Sequence, residues 1–465
     1  MERTLSKDTA GKIDEQVTVK GWVDARRDHG KLVFIDLRDR TGLLQVVFWG
    51  GGNEELFNKA QTLRSEFVIE VTGKVQKRGE NQINKDIPSG TVELAAETLT
   101  IISESEVPPF PINSERDEAG EAVRLQYRYL DLRSERMQKN IRMRHKFIKE
   151  IRNFLDNEDF VEIETPILTK SSPEGARDFL VPSRLSNGQF YALPQAPQQF
   201  KQISMIAGFE KYYQIAHCFR DEDLRGDRQP EFTQLDMEMS FVDQEDILEL
   251  NERLFKAVIA KLYPNKRMPE KFPRMTYDEV MEKYQSDKPD IRENKEDNDE
   301  LAFLWVTDFP VFEKGDDGKL TFAHNPFASP KDEDVEKLFS EDEATLLSMR
   351  AKCYDLVLNG YELSSGSIRI HEPRIQKQVF QMMGLSDEQV EERFGNFLKA
   401  FKYGVPPHGG MAPGLDRVLM ILQEEPTIRE VIAFPKNGEM RDLMFDSPSK
   451  PSDKQLKELS IKVVV

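Results

Sequence analysis

Three arginines stand close together in the stretch CFRDEDLRGDRQPEFTQLDMEMSF, residues 218–241: Arg220, Arg225 and Arg228, with no lysine among them. A guanidinium is a planar fork of donors that grips phosphate or carboxylate at two points, whereas an ammonium is a point charge. The stretch suits an oxygen-rich anion, and Phe232 could stack on a flat ring beside it. The competing reading is an exposed hairpin whose charges neutralise one another. The outgoing flank favours a site. There Leu235, Met237, Met239 and Phe241 alternate with Gln234, Asp236, Glu238 and Ser240. Period two is a strand. Its apolar face needs a core, and its polar face is unusual enough to be the floor of a site. Tyr213–Phe219 alternates as well, so the two flanks read as an antiparallel pair.

Other polar stretches surround this one. Ser171–Asp178, SSPEGARD, is a turn-rich loop carrying Glu174. Gln195–Gln202, QAPQQFKQ, starts a helix with Lys201, a residue type that is usually solvated. HNPFASP carries His324, and a lone histidine is more often structural than catalytic. Asp355–His371 reads as a hairpin around Asn359–Gly360, with Asp355 and Glu362 on neighbouring strands. Arg369 lies in an otherwise apolar strand end and needs an anion, from the protein or from a substrate. Gly409–Leu422, GGMAPGLDRVLMIL, is a glycine-rich turn entering an apolar helix with Arg417 in its first turn; glycine permits close approach and a helix N-terminus favours anions. It matches neither of the two common glycine-rich phosphate loops.

The elements that must position these residues fall into two parts. Residues 1–103 read as a small β domain, with strands near Val17–Val23, Leu32–Leu37, Leu43–Phe48, Phe67–Val75 and Val92–Ile102 and a helical stretch, Glu54–Leu63, after the third. That pattern fits an OB-fold barrel. Arg26, Arg27, Phe34, Gln45 and Arg78 are its exposed candidates for stacking and holding single-stranded bases; Phe34 is equally well placed as core. Residues 104–123, with VPPFPI, form a stiff linker. From Arg124 a long amphipathic helix runs to about Asp156, and Phe160–Pro166 is a strand stopped by proline. Helices follow near Glu245–Leu262 and Thr276–Tyr284. Ser286–Glu300 is a charged, apolar-poor loop. The net charge of −18 does not suggest a nucleic-acid partner, yet it is uneven: residues 1–100 hold 15 Lys and Arg against 16 Asp and Glu, so nearly all the excess lies beyond them. No apolar run spans a membrane, and the start of the chain lacks a signal peptide. Two cysteines make no disulfide framework or zinc set, which points to a reducing cytoplasm.

Taken in order, YRYLDLR, TP followed by PEGARD, FRDEDLR…RQPEFTQ, GS.RIH and GLDR resemble the bacterial-type aspartyl-tRNA synthetases of class II, over nearly the whole chain. The resemblance implies an α+β protein, with an OB-fold anticodon-binding domain at 1–103 and a catalytic domain at 124–465 whose antiparallel sheet is flanked by helices. It implies ATP and Mg²⁺, L-aspartate and tRNA-Asp as partners, and a homodimer built through the first motif. Arg220 would hold the α-phosphate and stabilise developing charge, and Arg417 would cover adenine and reach the γ-phosphate. Asp221, Glu222, Arg228, Gln229, Phe232, Glu362, Gly414, Leu415 and Asp416 complete the ATP site. Asp355 and Glu362 would hold the metal. Lys201 and Arg369 would grip the aspartate side chain, Glu174 and Asp236 its ammonium, with Gln198, Gln234 and His324 closing the pocket. The chain departs from the family pattern at Ala196, at Asn325 and in SSGS, Ser364–Ser367, and Ser286–Glu300 stands where an insertion domain is usual. His29 and Asn81, both polar, sit where enzymes restricted to tRNA-Asp tend to carry leucine and lysine, which implies that tRNA-Asn is accepted too. The rivals are a paralogue for asparagine or lysine and a non-catalytic RNA-binding relative. The paired cations Lys201 and Arg369 favour an acid over the first, and the full set of ATP-site residues argues against the second.

Overall fold

The computed structural model describes residues 2–112, 119–171, 176–315, 318 and 320–464. The chain divides into two compact units, Met1–Ala119 and Gly120–Val465. No described helix is long and apolar enough to cross a membrane.

In the first unit, β1 (Gln16–His29), β2 (Leu32–Asp39), β3 (Gly42–Trp49), β4 (Val68–Lys77) and β5 (Val92–Ser103) close into a barrel in the order β1-β2-β3-β5-β4. Alternation drives closure. In β2 Val33, Ile35 and Leu37 are fully buried while Leu32, Phe34, Asp36 and Arg38 point outward, so one face of every strand needs the others. A helix, Glu54–Gln61, follows β3; the Asn53 side chain accepts from the Leu56 N–H at 3.0 Å and caps it.

The second unit is organised by an eight-stranded sheet. Its strands are β6 (Val161–Glu162), β9 (Lys211–Phe219), β10 (Glu231–Ser240), β11 (Arg274–Thr276), β12 (Phe303–Thr307), β15 (Cys353–Leu358), β16 (Tyr361–Ile368) and β17 (His408–Met411), in the order β11-β12-β15-β16-β17-β10-β9-β6. All neighbours are antiparallel except β11 with β12 and β6 with β9. Two small hairpins, β7 (Leu180–Pro182) with β8 (Phe190–Ala192) and β13 (Phe312–Lys314) with β14 (Leu320–Phe322), stand apart. One face of the sheet is covered by the helices Glu135–Asn157, Gln244–Leu262 and Leu415–Leu422, with Leu235, Met237 and Met239 of β10 in the shared core.

Several expectations change here. The segment from Arg124 does not continue into the long helix. It forms two short helices, Glu121–Gln126 and Arg128–Asp131, and the long helix starts at Glu135 with Ser134 as its cap. The break turns Arg128 inward, where its guanidinium donates to the carbonyls of Arg429, Ile432 and Ala433. Arg124 meanwhile grips Glu430 with two N–H donors, at 3.2 and 3.0 Å. Of the predicted Phe160–Pro166 strand, Val161 and Glu162 are in register with a neighbour, and the pairing ends where the Ile163 N–H donates to the Tyr213 carbonyl at 3.0 Å. Phe241 lies beyond the end of β10 with φ 59° and is 68% exposed, so it is not part of the apolar face. The Asn359–Gly360 turn is as expected, both residues having positive φ (51° and 85°). Ser286–Glu300 contains no helix or strand, but it is pinned. Arg292 pairs with Asp290 at 2.8 Å and donates to the Asp297 carbonyl, and Asn359 donates to the Glu300 carbonyl at 3.0 Å.

Candidate active site

The polar face of β10 is the floor of a cavity of about 720 Å³. Its walls come from β16, the start of the helix Leu415–Leu422, residues 320–327 and the helix Gln198–Ile206. The strand places Phe232, Gln234 and Asp236 in line along the floor because its side chains repeat every two residues.

One end of the cavity gathers arginines. Arg220 follows β9, its guanidinium 5.1 Å from the ring centre of Phe232. Arg228 lies 3.5 Å from Glu222. Arg417, in the first turn of its helix, pairs with Asp227 at 3.0 Å and donates to the Glu362 carbonyl, while its buried Nε has no partner. Arg225 is exposed and does not line the cavity.

The other end is a buried charge cluster. Lys201 donates to Asp236 at 2.7 Å and lies 3.6 Å from Glu238. Arg369 is clamped on Glu238 through Nε and Nη2, at 2.9 and 3.1 Å. It also donates to Ser367 at 2.6 Å and the Gly410 carbonyl at 3.2 Å. The anion that buried Arg369 requires is therefore the protein's own. Of its five N–H donors one remains, against two on the Lys201 ammonium. Gly410 makes room for the clamp, since a Cβ there would stand 2.2 Å from a Glu238 carboxylate oxygen. Burial would raise the Glu238 carboxyl pKa, but Arg369 and Lys201 together bring it below the ordinary value. At Asp236 burial wins over Lys201 and the pKa is raised. Its Oδ2 has no partner of good geometry, since the buried Tyr212 hydroxyl beside the carboxylate donates to Gln214 at 3.0 Å.

Further buried polar atoms around the cavity are also unpaired: Nε2 of Gln198 and Oγ of Ser364. Such atoms cost about 1–3 kcal/mol each when left dry, so a ligand that satisfies them gains that much. Asp355 is buried behind the cavity wall with an unpaired Oδ1, and burial together with Glu362 raises its pKa strongly. Two carboxylates in mutual repulsion fit a divalent cation whose other ligands are phosphate and water. Among the described residues no group of three or more His, Cys, Asp or Glu is arranged to hold a metal. His324 lines the cavity edge-on to Phe309, and burial lowers its pKa against the pull of Glu362 and Asp287.

Other sequence candidates sit differently. Leu415 is fully buried in the core rather than in the cavity wall. Asp221 is bridged through its backbone to Arg177 and is outside the cavity. Gln229 spends its amide on the backbone of Lys436, and Asp416 accepts from Arg144 and the Thr233 N–H, so both brace the wall. Gly414 lines the cavity, and its N–H donates to the Leu363 carbonyl at 2.8 Å. Gln234 is held by the Cys218 thiol at 3.1 Å and by the Ala412 carbonyl at 3.2 Å. Glu174 lies outside the described residues.

The barrel carries its own groove, lined by Arg27, His29, Phe34, Gln45 and Trp49 among others. Phe34 is outward-facing and not core, with His29 edge-on to it at 5.7 Å. Arg27 forks onto Asp36 and Gln45 donates to Glu93 at 2.8 Å. Arg26 is tied to the Gln61 and Leu63 carbonyls and does not line the groove. Arg78, with a contact to the Gln82 carbonyl, and exposed Asn81 lie outside its lining.

A model of the class II tRNA synthetases (D, K and N) matches residues 120–438, and one of the OB-fold nucleic acid binding domain matches residues 17–102. This chain is a class II tRNA synthetase of the D, K and N family. The synthetase is 42% identical to an aspartate–tRNA ligase of Staphylococcus saprophyticus, over 98% of both chains. It is 44% identical to an aspartate–tRNA(Asp/Asn) ligase of a Thermoanaerobacter strain, over 98% of this chain and 97% of that one. In fold it is similar to the asparaginyl-tRNA synthetase of Pyrococcus horikoshii complexed with asparaginyl-adenylate, with a TM-score of 0.74 and 23% identity over 94% of this chain and 98% of that one. An aspartyl tRNA synthetase of Entamoeba histolytica has a TM-score of 0.72 at 22% identity, over 94% and 91%. The staphylococcal match runs over 580 positions and this synthetase has 465 residues, so at least 115 of them have no counterpart here. Such a difference is of the size of a small domain.

Sequence reasoning gave Glu238 no role although it stood on the alternating polar face; its partner Arg369 is 131 residues away. Ser364, noted only as a departure, offers one of the unpaired atoms. Asn325 uses its side-chain oxygen on the Phe327 N–H at 3.1 Å, a local turn bond.

Proposed function

We propose that this synthetase is an aspartate–tRNA ligase: it joins L-aspartate to ATP as aspartyl-adenylate and transfers the aspartyl group to tRNA-Asp, and to tRNA-Asn as well. The observation that carries the reading is the pairing of ends within one cavity. Arg220, Arg228 and Arg417 stand at one end, and the spare donors of Lys201 with the unpaired Asp236 Oδ2 stand at the other.

The aspartate side chain accepts from Lys201 and from the remaining N–H of Arg369. An asparagine amide would turn an NH₂ towards these donors and leave polar groups unpaired, which a buried site penalises heavily. The substrate ammonium donates to Asp236 Oδ2, with Gln198 and Gln234 beside it. The α-carboxylate oxygen then attacks the α-phosphorus of ATP, and the bond to pyrophosphate breaks in line. Arg220 stabilises charge building on the α-phosphate, Phe232 and Arg417 hold adenine between them, and Glu222 fixes its edge. Asp355 and Glu362 would hold Mg²⁺, which neutralises the phosphates. In the second step the terminal ribose hydroxyl of tRNA attacks the acyl carbon and AMP leaves. The barrel groove takes the anticodon. Relatives named aspartate–tRNA ligase and aspartate–tRNA(Asp/Asn) ligase are about equally similar; exposed, polar His29 and Asn81 support the broader acceptor range. We also place the enzyme in the cytoplasm as a homodimer formed through residues 135–166.

Pyrophosphate exchange tests the first step: labelled pyrophosphate enters ATP with aspartate, and equal exchange with asparagine or lysine, or none with any amino acid, overturns the assignment. Aminoacylation of both tRNA transcripts at matched salt tests the acceptor range. A preference for tRNA-Asp above about a hundredfold, worth about 2.7 kcal/mol, refutes the broader range.

A further inference from the structure

Trp49 ends β3 and is followed by Gly50, Gly51 and Gly52. A Cβ at Gly51 would stand 2.4 Å from Cζ2 and 2.6 Å from Cε2 of the indole, and one at Gly52 3.3 Å from its Cε3. Those atoms belong to opposite edges of the six-membered ring, so the indole lies along the Gly51–Gly52 backbone. Neither glycine has a positive φ. Clearance under the ring, rather than an unusual backbone conformation, is what requires glycine there. With one side on this shelf, Trp49 is still 62% exposed, whereas Trp305 is fully buried and Trp22 partly so.

The ring borders the groove that holds Phe34. Leu32 pairs with Trp49 and Phe34 with Val47, and both rings belong to the outward faces of β2 and β3. Trp49 is therefore about 7 Å further along the strands than Phe34 and about 4.8 Å to the side. That offset is on the order of two rises of stacked bases, each about 3.4 Å, a distance that neighbouring unstacked nucleotides span.

We propose that Trp49 is a second base-stacking platform, which takes the unpaired nucleotide adjacent to the one over Phe34. The proposal rests on the reading of the barrel as the anticodon-binding unit. Its ligand is single-stranded RNA of the tRNA loop. Stacking on an indole face tolerates every base, so this platform adds affinity for tRNA-Asp and tRNA-Asn alike and leaves their discrimination to the polar residues of the groove. The glycine shelf fixes the ring before RNA arrives, which spares the ordering cost of a free side chain.

The test is titration of the full chain with tRNA-Asp transcript at fixed salt, read by tryptophan fluorescence and by filter binding, with thermal melts for each variant. Parent protein is expected to show fluorescence quenching on binding that Trp49→Phe removes. Trp49→Ala should weaken binding on the order of tenfold, Trp49→Phe by less than about threefold, and Gly51→Ala should resemble Trp49→Ala because it displaces the ring. Phe34→Ala is the comparison. If Phe34→Ala weakens binding and Trp49→Ala does not, the platform is refuted and the groove stands. If neither does, the groove reading falls with it. Quenching that persists in Trp49→Phe refutes the platform even should Trp49→Ala fail to fold.

Discussion

Asp236→Asn isolates the grip on the substrate ammonium. Asp236 keeps one oxygen on Lys201 and leaves Oδ2 buried and unpaired. Asparagine preserves the volume and still accepts from Lys201, but puts an NH₂ where the ammonium should donate. A charge-assisted hydrogen bond is lost, about 1.5–3 kcal/mol, and two donors are set against each other. A total of about 3 kcal/mol is roughly 150-fold in kcat/KM for aspartate. The ammonium is held equally before and during attack on the α-phosphorus, so the loss should fall on KM with kcat little changed. Pyrophosphate exchange against aspartate concentration measures both. The pH profile adds an independent readout. Burial raises the Asp236 carboxyl pKa, and Lys201 only partly offsets it. The form that accepts from the ammonium is deprotonated, so kcat/KM should fall as pH drops through that raised value, earlier than for an exposed carboxylate. Asp236→Asn should lack this acid limb. A KM within threefold of the parent in a variant that melts normally, or an acid limb unchanged by the substitution, refutes the reasoning.

Arg124 and Arg136 overcome burial at Glu430 and hold its carboxyl at about 2, against an ordinary 4.5. A lowered folded-state pKa stabilises fully above the unfolded value and is lost as pH falls from about 4.5 towards 2. Glu430→Gln should cost on the order of 3 kcal/mol at pH 7, in urea unfolding, with the gap from the parent narrowing through that acid window; a gap independent of pH contradicts the ion-pair account. Sedimentation should give a dimer at micromolar concentration, and a monomer there excludes the interface through residues 135–166. Deleting exposed residues 293–296 from the loop Ser286–Glu300 should leave aminoacylation nearly unchanged, because the Arg292–Asp290 pair that pins the loop remains; a large fall with normal melting shows that the loop has acquired a role.

What could be read from the sequence is what the backbone repeats locally. The floor of the cavity was legible because a strand shows alternate residues to one side, and β10 alternates without a break. The barrel was legible for the same reason, five times over. The break between Arg124 and Glu135 was not. The amphipathic pattern runs through it, and what stops the helix is the demand of Arg128 for carbonyls at residues 429–433, about three hundred positions away. Trp49 escaped notice because Gly50–Gly52 looks like a loose turn until the distances from the ring reveal a shelf.

Arg369 shows the same limit from the other side, and it changes how the site works. A buried arginine in an apolar strand end announces that it needs an anion, yet nothing local says which. With Glu238 supplying it, the cluster sets two basic side chains, Lys201 and Arg369, against two acidic ones, Asp236 and Glu238, before substrate enters. The desolvation cost of the cations is thus met within the fold, and the site need not wait for a substrate to be stable. Selectivity then comes from the donors left over, two on Lys201 and one on Arg369, opposite a single unpaired acceptor on Asp236. A side-chain carboxylate and an ammonium match that remainder, whereas an amide or a second ammonium in place of the carboxylate does not. The cavity is therefore selective through unsatisfied hydrogen bonds rather than through net charge, and lysine at Arg369 would lose the clamp on Glu238 even while keeping the charge.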